Sequence, residues 1–257
     1  MREIELYYQK NIRDLGGLVG FKEKKVKSGR IYRGGFLDRL TDEDVVIMES
    51  LGITDIIDFR STKENENRPD YPLKGSVHHN YPPLEENLRK DDQKYEDGNL
   101  LWFVRGKDNG FTHMMRSYQN LVTTEIGRNA FRNFFKELLA KDNGVFYFHC
   151  SQGKDRAGLA AYYVERALGV NHEDALEDYL KSNKAMRIRA AHLIDLVKDQ
   201  PYFNDEYKES LIDVFSAKEE YLNAAIEEME KMSGSVLEYI KKELQVDIDK
   251  LRKLYLE

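Results

Sequence analysis

The sequence predicts an α/β domain in which a central, mostly parallel sheet is flanked by helices and followed by a helical C-terminal half. Three observations carry that prediction. Residues 31–59 read as strand, helix and strand, a β-α-β unit of the kind that sets strands parallel. The apolar run Val145-Phe146-Tyr147-Phe148 leads into a short polar loop and then into Leu159-Ala160-Ala161-Tyr162-Tyr163-Val164. That is the order of buried strand, tight loop and helix. Beyond the loop, the apolar residues recur at helical spacing. Across 257 residues no linker or shift in composition divides the chain, so it is read as one domain over 1–257. Its helical C-terminal portion starts at about residue 157.

Asn11-Ile12-Arg13-Asp14-Leu15-Gly16-Gly17 is read as a turn at the glycine pair. Arg13 and Asp14 either pair with each other there or reach the functional site. The basic run from Lys22 to Lys27 is either a solvated loop or hairpin or a rim that attracts substrate, and Ile31 and Tyr32, set between glycines, form a short strand. Thr41 with Asp42, Glu43 and Asp44 supplies a helix cap and an acidic first turn. Val45, Val46, Met48 and Leu51 form that helix's apolar face, and Gly52 ends it. Ile53 to Phe59 is rich in β-branched residues and reads as a strong strand. Asp58 and Arg60 stand at its carboxyl end, where α/β sheets bind ligands. They either approach the functional loop or brace it as a salt bridge.

Residues 61–75 are polar and interrupted by prolines, and are read as loop. A short strand over Val77–Tyr81 would set His78 and His79 on opposite faces, which is poor geometry for a shared metal. No metal site and no cofactor are expected. Residues 84–110 are charged with one apolar patch, Leu100-Leu101-Trp102-Phe103-Val104, and form either a surface insertion or a mobile cover. Helices follow over about 111–122 and 126–140, the second with a core stripe of Phe131, Phe134, Phe135, Leu138 and Leu139. Asp142-Asn143-Gly144 then turns the chain into the strand that carries the loop. Further on, Asn171 with Asp174 caps residues 175–182. A basic, apolar segment runs from Lys184 to Lys198, and Pro201 interrupts the pattern. Amphipathic helix resumes from Leu211 to Ile226, Gly234 closes it, and Ser235 with Glu238 opens another. A last helix covers Asp247 to Leu254.

Composition narrows the function. Hydrophobic and charged fractions of 41% and 33% are those of a globular protein. No apolar run approaches the ~20 residues of a membrane span, so no stable membrane insertion is expected. A net charge of −6 argues against a general nucleic-acid binder. The single cysteine forbids an intramolecular disulfide and fits a reducing compartment. A cytoplasmic location is expected, with secretion left open.

The chemistry concentrates in His149-Cys150-Ser151-Gln152-Gly153-Lys154-Asp155-Arg156. A loop between strand and helix gathers backbone N–H groups into one concavity, where the helix dipole also favours an anion. Ser151, Gln152, Gly153, Lys154, Asp155 and Arg156 would line a phosphate there. An ordinary cysteine is mostly thiol near neutrality, with a pKa of about 8.5. The amides, the helix N-terminus, Lys154 and Arg156 all favour the thiolate, so one field binds phosphate and prepares the sulfur. Arg156 offers a planar fork for two phosphoryl oxygens. Asp155, inside the loop, is the nearest carboxylic acid in sequence and the first choice as general acid, with Asp58 in reserve. Lys154 would hold a further anionic group, and His149 would orient the loop.

His-Cys-x5-Arg after an apolar strand resembles the signature of the cysteine-based tyrosine phosphatase superfamily. The longer Gly-Lys-Asp-Arg form, together with Asn-x-Arg-Asp-x-Gly-Gly and a strand ending in Asp-x-Arg, is similar to a narrower group. These are the bacterial tyrosine phosphatases of dual or triple specificity, some of them secreted phosphatases acting on phosphoproteins and phosphoinositides. Tyr221-Leu222, Gly234-Ser235-Val236 and Tyr239 match the same group, so the resemblance spans nearly the whole chain. It implies a phosphotyrosine phosphatase-like fold and a cysteinyl-phosphate intermediate. It also implies Cys150 as nucleophile, Arg156 as phosphate binder, and Lys154 and Asp155 in lipid-phosphate recognition and acid catalysis. The expected substrate is a phosphorylated protein or a phosphoinositide. One residue departs from the pattern: Ala157 stands where most relatives carry a serine or threonine whose hydroxyl helps the sulfur leave. Three other readings remain at this level. They are a phosphoinositide or inositol-phosphate phosphatase, which Lys154 and the basic run at residues 22–33 favour, a rhodanese-like sulfurtransferase, and an inactive phosphate-binding adaptor.

Overall fold

The computed structural model describes residues 2–84 and 109–257. Among these, β1 (Glu3–Ile4), β2 (Ile12–Asp14), β3 (Ile31–Gly35), β4 (Asp55–Asp58), β5 (Val77–Asn80) and β6 (Phe146–Cys150) form one sheet, ordered β1-β2-β3-β6-β4-β5. β3, β6, β4 and β5 run parallel, and β1 and β2 add an antiparallel edge. The sheet is mixed and mostly parallel, as predicted. Ile12–Asp14, just before the turn expected at the glycine pair, form β2. Only the glycine pair turns, because Ile12 is buried and pairs with Ile4 on the edge strand.

Alternation along β6 shows why this strand is central. Phe146, Phe148 and Cys150 enter the larger apolar core, and Tyr147 enters a smaller one on the other face. A strand buried on both faces loses its polar positions and reads as one apolar run. The smaller core holds Ile12, Tyr32 and Ile56 under Met48 of α1 (Asp42–Ser50). The larger core is roofed by the helices of the second half. These are α3 (Gly110–Thr123), α4 (Glu125–Ala140), α5 (Arg156–Leu168), α6 (His172–Lys181), α7 (Asn183–Val197), α8 (Asp205–Phe215), α9 (Glu219–Ser233), α10 (Val236–Lys242) and α11 (Ile248–Tyr255), with α2 being Thr62–Asn67. Phe131, Phe134, Phe59 and Phe148 pack with ring centroids 5.0–6.3 Å apart at the centre of this core. Each such side chain contributes about 1.5–3 kcal/mol by leaving water.

Two elements differ from expectation in ways that matter for function. Residues 62–67 are helix, not loop, because Ser61 and Glu64 form a reciprocal capping box that starts α2. The basic run at 22–27 lies against the end of the chain. Lys25 N donates to Glu257 O at 2.9 Å and Lys27 Nζ to Leu254 O at 2.9 Å. The register Ile31↔Phe146 and Gly35↔Cys150 puts that run at the end of the sheet remote from Cys150. Among the described residues no helix is long and apolar enough to cross a membrane. The cover expected at 84–110 lies, but for its first and last residues, outside the described residues.

Candidate active site

The parallel register brings the carboxyl ends of β3, β6 and β4 side by side, with Gly35 opposite Cys150 and Asp58 opposite His149. Cys150 is the last residue of β6 and is 2% exposed. The chain turns at once through Ser151 to Asp155 into α5. Gly153 takes φ +68, and a Cβ there would stand 2.3 Å from the carbonyl carbon of Gly34. Only glycine meets both conditions. The backbone N–H groups of Ser151 to Arg156 meet no acceptor among the described residues. Asp155, at the N-cap of α5, makes no side-chain cap. The helix N-terminus and the loop therefore present their donors together, which is the arrangement that holds an anion.

Arg156 is set by a residue that sequence reasoning missed. Its Nη1 donates to Glu64 Oε2 at 2.8 Å and to Phe59 O at 3.1 Å. Its Nη2 donates to Glu64 Oε1 at 3.2 Å and to Ser151 Oγ at 2.9 Å, and Ser151 Oγ donates to Glu64 Oε1 at 2.6 Å. Burial opposes charge on Glu64, but Arg156 and Ser151 outweigh it and hold the carboxyl well below the usual carboxylate range. The signal was legible in outline: Ser61-x-x-Glu64 is a capping box just after a strand ending in Asp-x-Arg.

Arg13 and Asp14 do not pair with each other. Asp14 accepts from Gly16 N at 2.9 Å and Gly29 N at 2.7 Å, fixing the turn. Arg13 reaches across the molecule to Asp178 of α6 at 2.6 Å. Arg33 Nη1 also donates to Asp178 at 2.6 Å, and Arg33 Nη2 donates to Gly153 O at 2.8 Å. A carboxylate with two guanidinium partners thus grips the phosphate loop from beneath. Burial pushes against the charge of Asp178, but the two arginines prevail and lower it to about 2. Glu165, next to this group, is buried with both oxygens unpartnered among the described residues. Burial, with Asp178 beside it, pushes its carboxyl well above the usual range.

Asp58 and Arg60 brace the sheet end and do not face the loop's open side. Arg60 donates to Asp58 at 2.8 Å, to Asp70 at 3.1 Å and to Arg68 O at 2.7 Å, and Asp58 is fully buried. His149 is buried too, with Nε2 standing 2.9 Å from Asp70. Burial favours its neutral form, but Asp70 and Asp58 overcome this and raise it above the ordinary histidine value. His78 joins this group while His79 meets Asp55 and Glu137 on the other face, so the two histidines do point apart. Each of these carboxylate–imidazole clusters already contains a cation of the chain itself. Arg60 sits in the first, and Lys141 stands 2.7 Å from Asp55 in the second.

Lys154 was expected to extend toward substrate. Its side chain is instead buried, and Nζ donates to Asp155 Oδ1 at 2.7 Å and to Ser216 O at 3.0 Å. Asp155 remains partly exposed, and Tyr118 donates to its Oδ1 at 2.9 Å. Gln152 contributes backbone, its carbonyl accepting from Asn11 Nδ2 at 3.0 Å. The thiol, the unpaired amides, the fixed guanidinium and a carboxyl with one oxygen free of these bonds share one concavity. Such a group can attack a phosphorus centre, hold its oxygens and move a proton.

Comparison with known proteins agrees with that chemistry. A family model described as the tyrosine phosphatase family matches residues 4–257. A protein of Cupriavidus necator, provisionally named a tyrosine-protein phosphatase, is 30% identical over 248 residues, covering 96% of this chain and 85% of its own. The triple specificity protein phosphatase PtpB of Mycobacterium tuberculosis is 24% identical over 259 residues, covering 90% and 93%. A tyrosine-protein phosphatase of Nostoc commune is 26% identical over 160 residues, covering 60% and 48%.

Proposed function

Because this chain belongs to the tyrosine phosphatase family and is a cysteine-based protein tyrosine phosphatase, we propose that Cys150 is its nucleophile, Arg156 its phosphate clamp and Asp155 its acid and base. The observation that carries this reading is the loop itself, with unpaired amides between a cysteine and an arginine held by Glu64. The Cys150 sulfur attacks phosphorus as the bond to the leaving oxygen breaks. The amides and Arg156 receive the charge that builds on the phosphoryl oxygens. Phosphate displaces the neutral Ser151 hydroxyl from Nη2, which frees Nη2 beside Nε for two oxygens while Glu64 keeps the guanidinium in place. Asp155 gives its proton to the leaving oxygen. It then takes one from the water that attacks the phosphocysteine, and the P–S electron pair returns to sulfur. Residues 1–257 act as one domain, since Arg13 of the edge strand and Asp178 of the helical half meet in the group that holds the loop through Arg33. The single cysteine, which must stay reduced to react, supports action in the cytoplasm.

Ala157 is fully buried in the first turn of α5 and offers no hydroxyl to the departing sulfur. Release of phosphate is therefore expected to be the slow step. Rapid-quench kinetics on an aryl phosphate should show a burst of phenol close to one equivalent per site. A linear time course from the first turnover would reject a slow second step.

The substrate we favour is a phosphoprotein, with phosphotyrosine first. Two features had pointed to phosphoinositides, the basic run and Lys154, and the first lies at the far end of the sheet while the second is engaged by Asp155 and Ser216. A phosphotyrosine peptide should be turned over with a kcat/KM at least about tenfold above that for a short-chain phosphoinositide, a gap of about 1.4 kcal/mol in transition-state binding. The reverse order would favour the lipid reading.

A further inference from the structure

Two donors converge on a single oxygen of Asp155. Lys154 Nζ and Tyr118 Oη lie 2.7 Å and 2.9 Å from Oδ1. Tyr118, in α3, is fully buried, and its oxygen is 2.8 Å from that of Tyr179 in α6. A phenol has one hydrogen to give. With Tyr118's hydrogen on Asp155, Tyr179 must be the donor in its bond to Tyr118. The chain of donors has one direction and ends on Oδ1. The rings are fixed as well: Tyr118 meets Tyr179 edge to face with centroids 6.2 Å apart and lies 5.9 Å from Tyr221.

An oxygen that accepts from an ammonium and a phenol is a poor place for a further proton. When Asp155 is neutral, its proton must therefore sit on Oδ2, which receives no bond from the described residues. We infer that Tyr118, backed by Tyr179, is a positioning residue that keeps the transferable proton of Asp155 on the oxygen serving the leaving group. In the first step the Oδ2–H bond breaks as the leaving oxygen gains the proton. Asp155 is left as a carboxylate with Oδ1 still anchored and Oδ2 turned to receive the proton of the attacking water. Neither tyrosine touches substrate. The inference rests on Asp155 being the acid.

The experiment compares kcat/KM on 4-nitrophenyl phosphate, whose leaving group needs little protonation, with phenyl phosphate, whose leaving group needs it. Asp155→Asn should lose about 10²-fold or more on phenyl phosphate and under about tenfold on the nitrophenyl ester, the range for a lost general acid. Tyr118→Phe should shift the ratio in the same sense by about tenfold, and Tyr179→Phe by about threefold, as expected for loss of one hydrogen bond at one and two removes. Thermal melts identify a variant that fails to fold, and Tyr179→Phe carries the test if Tyr118→Phe is that variant. A selective Asp155→Asn beside tyrosine variants that lose equally on both esters, or lose nothing, overturns the role of Tyr118 and leaves Asp155 as the acid. An unselective Asp155→Asn overturns both.

Discussion

Cys150→Ser is expected to lower kcat by about 10⁴-fold or more, in the range seen when a covalent nucleophile is removed from a hydrolase. A serine hydroxyl is far harder to deprotonate than a thiol, which makes it a much weaker nucleophile in the same position. Phosphate binding should survive, because the cradle is made of backbone amides and Arg156, which the substitution leaves alone. Calorimetry with a phosphotyrosine peptide should give a Kd within a few-fold of the wild type. Turnover near the wild-type rate would rule out covalent catalysis by this residue. Loss of binding along with turnover would instead point to a distorted loop.

Asp178→Ala should bring the largest loss of stability, about 3–5 kcal/mol, the usual result when one partner of a buried ion group is removed. Arg13 and Arg33 would be left as buried guanidinium groups without their shared carboxylate, and Gly153 O would depend on an arginine with no anchor. Denaturant unfolding should show a lower midpoint at unchanged slope. The sign with pH follows from the lowered Asp178 carboxyl. Its stabilising contribution is complete above the ordinary aspartate value of 3.8 and disappears as pH falls toward about 2. The stability gap between wild type and variant should therefore be constant near neutrality and narrow below about pH 4. A gap that persists unchanged to pH 2 would mean that the loss comes from packing and not from charge.

What the sequence made legible is what lies contiguously in it. The thiol, the loop glycine, the arginine and the acid sit within seven residues. The strand and helix that frame them have clear periodicity, so the centre of the candidate site could be read directly. Their supports could not. Glu64 stands 92 residues from Arg156, Asp178 stands 165 from Arg13, and Tyr118 stands 37 from Asp155. No local pattern records which of the 46 acidic residues the fold delivers to an arginine. Asp178 gave one clue, since it shares a helix face with Ala175 and Tyr179, where a carboxylate needs a partner. Residues 62–67 misled because prolines and charge mask a helix too short for periodicity, which only its capping box betrays. Lys154 misled for a different reason. A lysine beside a phosphate loop is naturally imagined on the ligand, and nothing local reveals that Ser216 O and Asp155 pull it inward.

The long reach from Arg13 to Asp178 also bears on how the protein comes into being. A ribosome adds on the order of 5–20 residues each second, so Cys150 is translated before Asp178, and Ser216 follows later still. Until α6 docks, Arg33 lacks the carboxylate of Asp178 that anchors its hold on Gly153 O. Contacts this distant in the chain form late because they must close a long loop. The nascent chain thus carries its nucleophile for some seconds before the residues that hold the loop around it have been made.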